Sequence, residues 1–123
     1  MDYKDLFFKI IKDYTYISFN ILDNEEFECD PSEKIIWLDI KRVFDPDYRD
    51  IFSLLHEIGH IETYKDDMTL CQEEFEATQW ALNNMKTYNL PIRRRELMYF
   101  QKYIYGFISS KDSVNKVTLN WEV

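Results

Sequence analysis

YRDIFSLLHEIGHIETY, residues 48–64, is the stretch on which the reading of this chain turns. Five apolar residues, Ile51, Leu54, Leu55, Ile58 and Ile61, recur at the three- and four-residue spacing of an α-helix. At about 100° per residue they gather on one side, while Ser53, His56, Glu57 and His60 occupy the opposite half. An ordinary exposed face would carry lysines and glutamates. This one carries a hydroxyl, two imidazoles and one carboxylate, with Glu62 falling on the apolar side. The pattern predicts a helix from Tyr48 to Tyr64 set between a hydrophobic core and a cleft. Asp45-Pro46 precedes it, and Asp47 is suited to cap it, because a short carboxylate accepts from the free N–H groups of a first turn.

His56 and His60 are the only histidines in the chain, and Glu57 follows the first of them, an HExxH arrangement. Residues four apart share a helical face, so both imidazoles can reach one ion. A catalytic zinc site uses three protein ligands plus water, and with no third histidine the remaining ligand has to be a carboxylate. The next helix is expected to start at Thr69, where Thr69-Leu70-Cys71-Gln72 has the capping-box pattern, and to run to about Lys86. It offers Glu73, Glu74 and Glu76. Counted from Leu70, its apolar residues point to roughly 50° and Glu74 to about 40°, whereas Glu73 and Glu76 point to about 300° and 240°.

A carboxylate in the middle of an apolar stripe is costly unless a cation sits beside it. His60 and Glu74 would each lie roughly 6 to 8 Å from the turn joining the two helices, so in an antiparallel hairpin they face each other. The residues therefore predict zinc held by His56, His60 and Glu74, with Glu57 as the general base. Gly59 removes a side chain where the helices approach.

Working outward, Asp5 to Lys12 carries Leu6, Phe7, Ile10 and Ile11 at helical spacing. Thr15 to Leu22 and Lys34 to Ile40 are β-prone, with Asp30-Pro31-Ser32 as a turn between them and Phe27 to Cys29 extending a strand. Beyond the second motif helix, Asn89-Leu90-Pro91 is a break, and a third helix with Pro91 in or near its first turn runs towards Gly106. Val117 to Val123 alternates as a strand with one buried face. The expected fold is α+β: a small antiparallel sheet packed against the HExxH helix and two further helices, a gluzincin-like single domain over residues 1–123.

Length and composition agree with one packed core: 123 residues, 46% hydrophobic and 17% aromatic, with no repeat and only two glycines to suggest a linker. The net charge of −8 disfavours direct nucleic-acid binding, and Arg93-Arg94-Arg95 is too short to reverse it; the triplet reads as a solvated helix face. There is no signal-peptide pattern and no apolar run of membrane-spanning length, which places the expected protein in the cytoplasm, off the membrane. Cys29 and Cys71 lack metal or redox spacing and read as reduced thiols.

With these residues laid out, the chain resembles the ImmA/IrrE-type metallopeptidases, compact HExxH proteins of bacteria and their mobile elements. The likeness covers Arg49 to about Leu82. Arg49, Phe52, Leu54, His56-Glu57, Gly59 and His60 match that family's Arg-x-x-Phe-x-Leu-x-His-Glu-x-Gly-His helix, and Glu74-Phe75-Glu76-Ala77-Thr78-Gln79-Trp80-Ala81 is similar to its Glu-x-x-Ala-Asn-x-Phe-Ala segment. Thr78 and Trp80 depart from it, and the stretch between the motifs is shorter than in many members. The resemblance implies that Glu74 is the third ligand, that a small sheet precedes the motif helix, and that the substrate is a regulatory protein such as a DNA-binding repressor. A sheet edge, with Lys34 to Ile40 the candidate, would align an extended peptide, and the oxyanion donor would be a tyrosine or an arginine. The rival expectation is a non-catalytic regulator, antirepressor- or antitoxin-like, in which the metal only staples a small fold.

Overall fold

A computed structural model describes residues 2–23 and 25–111, with the backbone alone over 103–111. In chain order the elements are α1 (Tyr3–Asp13), β1 (Ser18–Leu22), β2 (Glu28–Asp30), β3 (Ile35–Asp39), α2 (Ile40–Phe44), α3 (Tyr48–Glu62), α4 (Leu70–Thr87) and α5 (Arg94–Lys111). The fold is α+β, a three-stranded mixed sheet with five helices. No helix among the described residues is long and apolar enough to cross a membrane. The expected tail strand, Val117 to Val123, lies outside the described residues.

Local signals place the two motif helices. Asp47 and Asp50 form a capping box at the start of α3, each side chain accepting from the other's backbone N–H. The helix ends at Glu62, two residues earlier than the periodicity suggests, where the Thr63 hydroxyl donates to the Gly59 carbonyl at 2.7 Å. Thr69 and Gln72 box the start of α4 in the same way. That helix closes in a Schellman motif, Leu90 N–H donating to the Met85 carbonyl and Asn89 N–H to that of Lys86, with Asn89 at φ 58°. Asparagine tolerates this left-handed conformation better than most residues. Three residues after the break the chain resumes as α5, so Pro91 precedes that helix rather than sitting in its first turn, and α5 runs past Gly106 to Lys111.

The sheet corrects the antiparallel expectation. Its order is β1-β3-β2: β1 pairs with β3 in parallel, Phe19 opposite Ile36, and only β2 with β3 is antiparallel. That expectation assumed consecutive strands pair. Instead, the connection after Leu22, with Glu25 at φ 59°, carries the chain about 10 Å past two strand spacings to the far edge, and Phe27 is buried edge-on against Phe7. The chain then returns through a turn, with Lys34 at φ 57°, into the middle. β3 takes the centre because it is the most apolar strand, with Ile36 and Leu38 fully buried, whereas β1 is mostly exposed. Glu28 and Cys29 thus belong to a separate edge strand that Phe27 precedes, and Lys34 to Ile40 is not an edge. Ile40 opens α2, a five-residue helix that apolar pattern alone does not distinguish from the end of the strand.

One cluster of buried side chains joins Phe7 and Ile10 of α1, Ile36 and Leu38 of β3, Leu54, Leu55 and Ile58 of α3, and Leu82 and Met85 of α4. Gly59 lets α3 come close to the backbone of α4 beside it. A Cβ there would lie 2.6 Å from the Ala77 carbonyl oxygen, a backbone atom of α4. Helix propensity alone favours alanine over glycine by about 0.5–1 kcal/mol, but overpacking against backbone costs about 1–3 kcal/mol and dominates. Gly59→Ala is therefore expected to lower the thermal midpoint by several degrees and to weaken divalent-metal binding together with it. A midpoint equal to or above that of the parent protein contradicts this packing.

Candidate metal centre

The antiparallel packing of α3 on α4 brings the sequence-expected ligands together. His56 Nε2 lies 3.0 Å from Glu74 Oε2, and His60 Nε2 lies 3.3 Å from the same oxygen. The three donor atoms fall within 4.8 Å of one another, the only such group of histidine, cysteine or acidic residues among the described residues. Tetrahedral zinc with bonds near 2.1 Å holds its donors about 3.4 Å apart, which the two histidine–glutamate separations approach. Although close, His56 Nε2 and Glu74 Oε2 do not meet in hydrogen-bond geometry, and both are buried without a hydrogen-bond partner. Buried polar atoms are nearly always satisfied. Converging donors from two imidazoles and a carboxylate, two of them left unsatisfied by the protein, fit a divalent cation.

The electrostatics agree. Burial on its own would raise the Glu74 carboxyl, but the two imidazoles outweigh it and hold its pKa at about 2. Burial works against the His60 imidazolium, yet the facing Glu74 carboxylate raises its pKa overall. Glu73 and Glu76 stand outside the group, as their helical angles require. Leu70, counted on the apolar stripe, is exposed; the stripe holds through Cys71, Ala77, Ala81, Leu82 and Met85.

Glu57 is not part of this group. It lies on the side of α3 that packs on β2, beside Cys29, and burial raises its pKa despite the opposing pull of the His56 and His60 imidazoles and the Cys29 thiol. The thiol is raised in turn, by burial first and the Glu57 charge next. A carboxylate raised towards neutral pH is a better proton acceptor than one at its ordinary value. Cys29 and Cys71 are both unbridged.

No family model, curated protein or solved structure matches the chain. The assignment of the site rests on geometry. Ser53, placed with the motif residues by periodicity, instead accepts from the Arg42 guanidinium at 2.9 Å, while Arg42 also pairs with Asp50 and stacks on the Phe27 ring at 4.1 Å. That network ties α2 to the first turns of α3. Arg93 is not a plain solvated side chain: it lies over the Tyr48 ring at 4.3 Å, and Tyr48 donates to the Pro91 carbonyl. Cys29 is not legible in the sequence as a neighbour of Glu57, because only the long-range packing of β2 on α3 brings it there.

Proposed function

We propose that this chain is a zinc-dependent peptidase with a compact gluzincin-like site, similar in its motifs to the ImmA/IrrE-type enzymes. The observation that carries the reading is the convergence of His56, His60 and Glu74 on one point with Glu57 beside it and outside the ligand group. Zinc held by those three residues would supply Lewis-acid chemistry, acidifying a water and polarising a peptide carbonyl. Glu57 takes the proton of the attacking water and returns it to the leaving amine. As β3 is central, the edge strand near the site is β2, and its outer side is the one that would align an extended substrate by backbone pairing. The likeness in motif points to a regulatory protein, such as a repressor, as the substrate.

A structural site needs no base, so the buried glutamate of raised pKa favours an enzyme over a metal-stapled binding protein. The test is hydrolysis of a quenched-fluorescence peptide library by the zinc-loaded chain, before and after removal of metal by a chelator. Cleavage that stops in chelator and resumes on adding zinc is expected. A zinc-loaded, folded chain that binds partner protein but cleaves nothing favours the stapled regulator instead.

A further inference from the structure

Beside His56, the wall of the metal centre opens into a cavity of about 430 Å³ lined by Arg42, Arg49, Ser53, Thr78, Arg95 and Glu96, among others. Three guanidiniums around one cavity are unexpected in a chain of net charge −8. Two of them are compensated: Arg42 pairs with Asp50, and Arg95 stands 3.5 Å from Glu96. Arg49 has no ion pair or hydrogen bond among the described residues. Glu96 is shared with Arg93, 3.8 Å away, so the two acids leave positive charge over at this wall, and Arg49 is the lining guanidinium without an ion pair among the described residues.

The position of Arg49 is tied to the metal ligands by α3 itself. Arg49, Ser53, His56 and His60 succeed one another at spacings of four, three and four, so they share one stripe of the helix. Seven residues separate Arg49 from His56, about 10 Å along the axis, which is the length of about three extended residues. Glu96, only 5% exposed, lies in the wall of the cavity and is held between Arg93 at 3.8 Å and Arg95 at 3.5 Å. A concave pocket with an exposed, unpaired guanidinium on its rim is complementary to a peptide carboxylate.

We propose that this cavity is a substrate subsite for a peptide carboxylate, within about three residues of the scissile bond, and that Arg49 is the residue that reads it. The proposal rests on the peptidase reading for the word substrate, but its test does not depend on turnover. The carboxylate can come from an aspartate or glutamate side chain or from a peptide C-terminus, and the peptides distinguish the two.

The experiment measures binding of fluorescent peptides to the zinc-loaded Glu57→Gln protein, where turnover is slow enough for binding to be read first. One set is C-terminally amidated and carries a single Asp or Glu scanned along a neutral sequence. A second set has Asn or Gln at the same places, and a third is neutral with a free C-terminus. Carboxylate peptides of the first or third set are expected to bind about tenfold or more tightly than the amidated amide set. Adding Arg49→Glu is expected to remove or invert that preference, with zinc content unchanged, and Arg49→Lys to retain part of it. Equal binding of carboxylate and amide peptides, absence of binding by all of them, or a preference untouched by Arg49→Glu overturns the subsite. A preference in binding without hydrolysis by the parent chain sinks the peptidase reading and leaves the subsite standing. Hydrolysis indifferent to carboxylates does the reverse.

Discussion

Glu57→Gln is expected to lower peptide turnover by about two to four orders of magnitude, the usual contribution of a positioned general base, while metal content stays at that of the parent protein. The two effects separate because Glu57 lies next to His56 in sequence but outside the group formed by His56, His60 and Glu74. Glutamine has nearly the same shape, so the packing of β2 on α3 has no reason to change. What is lost is the ability to hold a proton. Burial raises the Glu57 pKa in spite of the nearby imidazoles, which makes the native carboxylate a stronger proton acceptor than an exposed one. Turnover within about tenfold of the parent would mean that another group takes the proton, and loss of metal would mean that Glu57 belongs to the ligand set after all.

Much of this centre was legible along the chain because its determinants are local. The spacing of His56 and His60, the capping residues Asp47 and Thr69, and the angular place of Glu74 on α4 all depend on residues within a few turns of one another. Gly59 could be suspected for the same reason, and the structure adds what it meets, the backbone of Ala77. The sheet departs from the antiparallel expectation because strand order is a long-range property. Nothing local to Ile35–Asp39 says that it passes between β1 and β2, although its fully buried Ile36 and Leu38 are the physical reason that it does. α2 was missed because five residues give too little periodicity to set against the strand they continue. The start of α5 was placed too early: Pro91 offers its carbonyl to Tyr48 and Arg93 stacks on the same ring, so the chain there is held against α3 before the helix begins. The arginines of the cavity were visible as residues but not as neighbours, since Arg42, Arg49 and Arg95 come from three different helices.

The second large effect expected concerns Glu74. Removing its carboxylate leaves two half-buried imidazoles with no third donor among the described residues, for neither Glu73 nor Glu76 lies in the group. Groups that only orient a ligand commonly change metal affinity 10- to 100-fold, so loss of a ligand itself is expected to cost more than about 100-fold. Glu74→Ala also removes the charge that raises the His60 pKa, which leaves those two side chains without the partner they face.

Zinc per chain, measured by elemental analysis of the purified parent protein beside Glu74→Ala after the same exposure to zinc and the same dialysis, tests the centre most directly. The account predicts one zinc per chain in the parent and a small fraction of that in a Glu74→Ala protein that is still folded by circular dichroism. Equal zinc in the two proteins, or none in the parent, would contradict it.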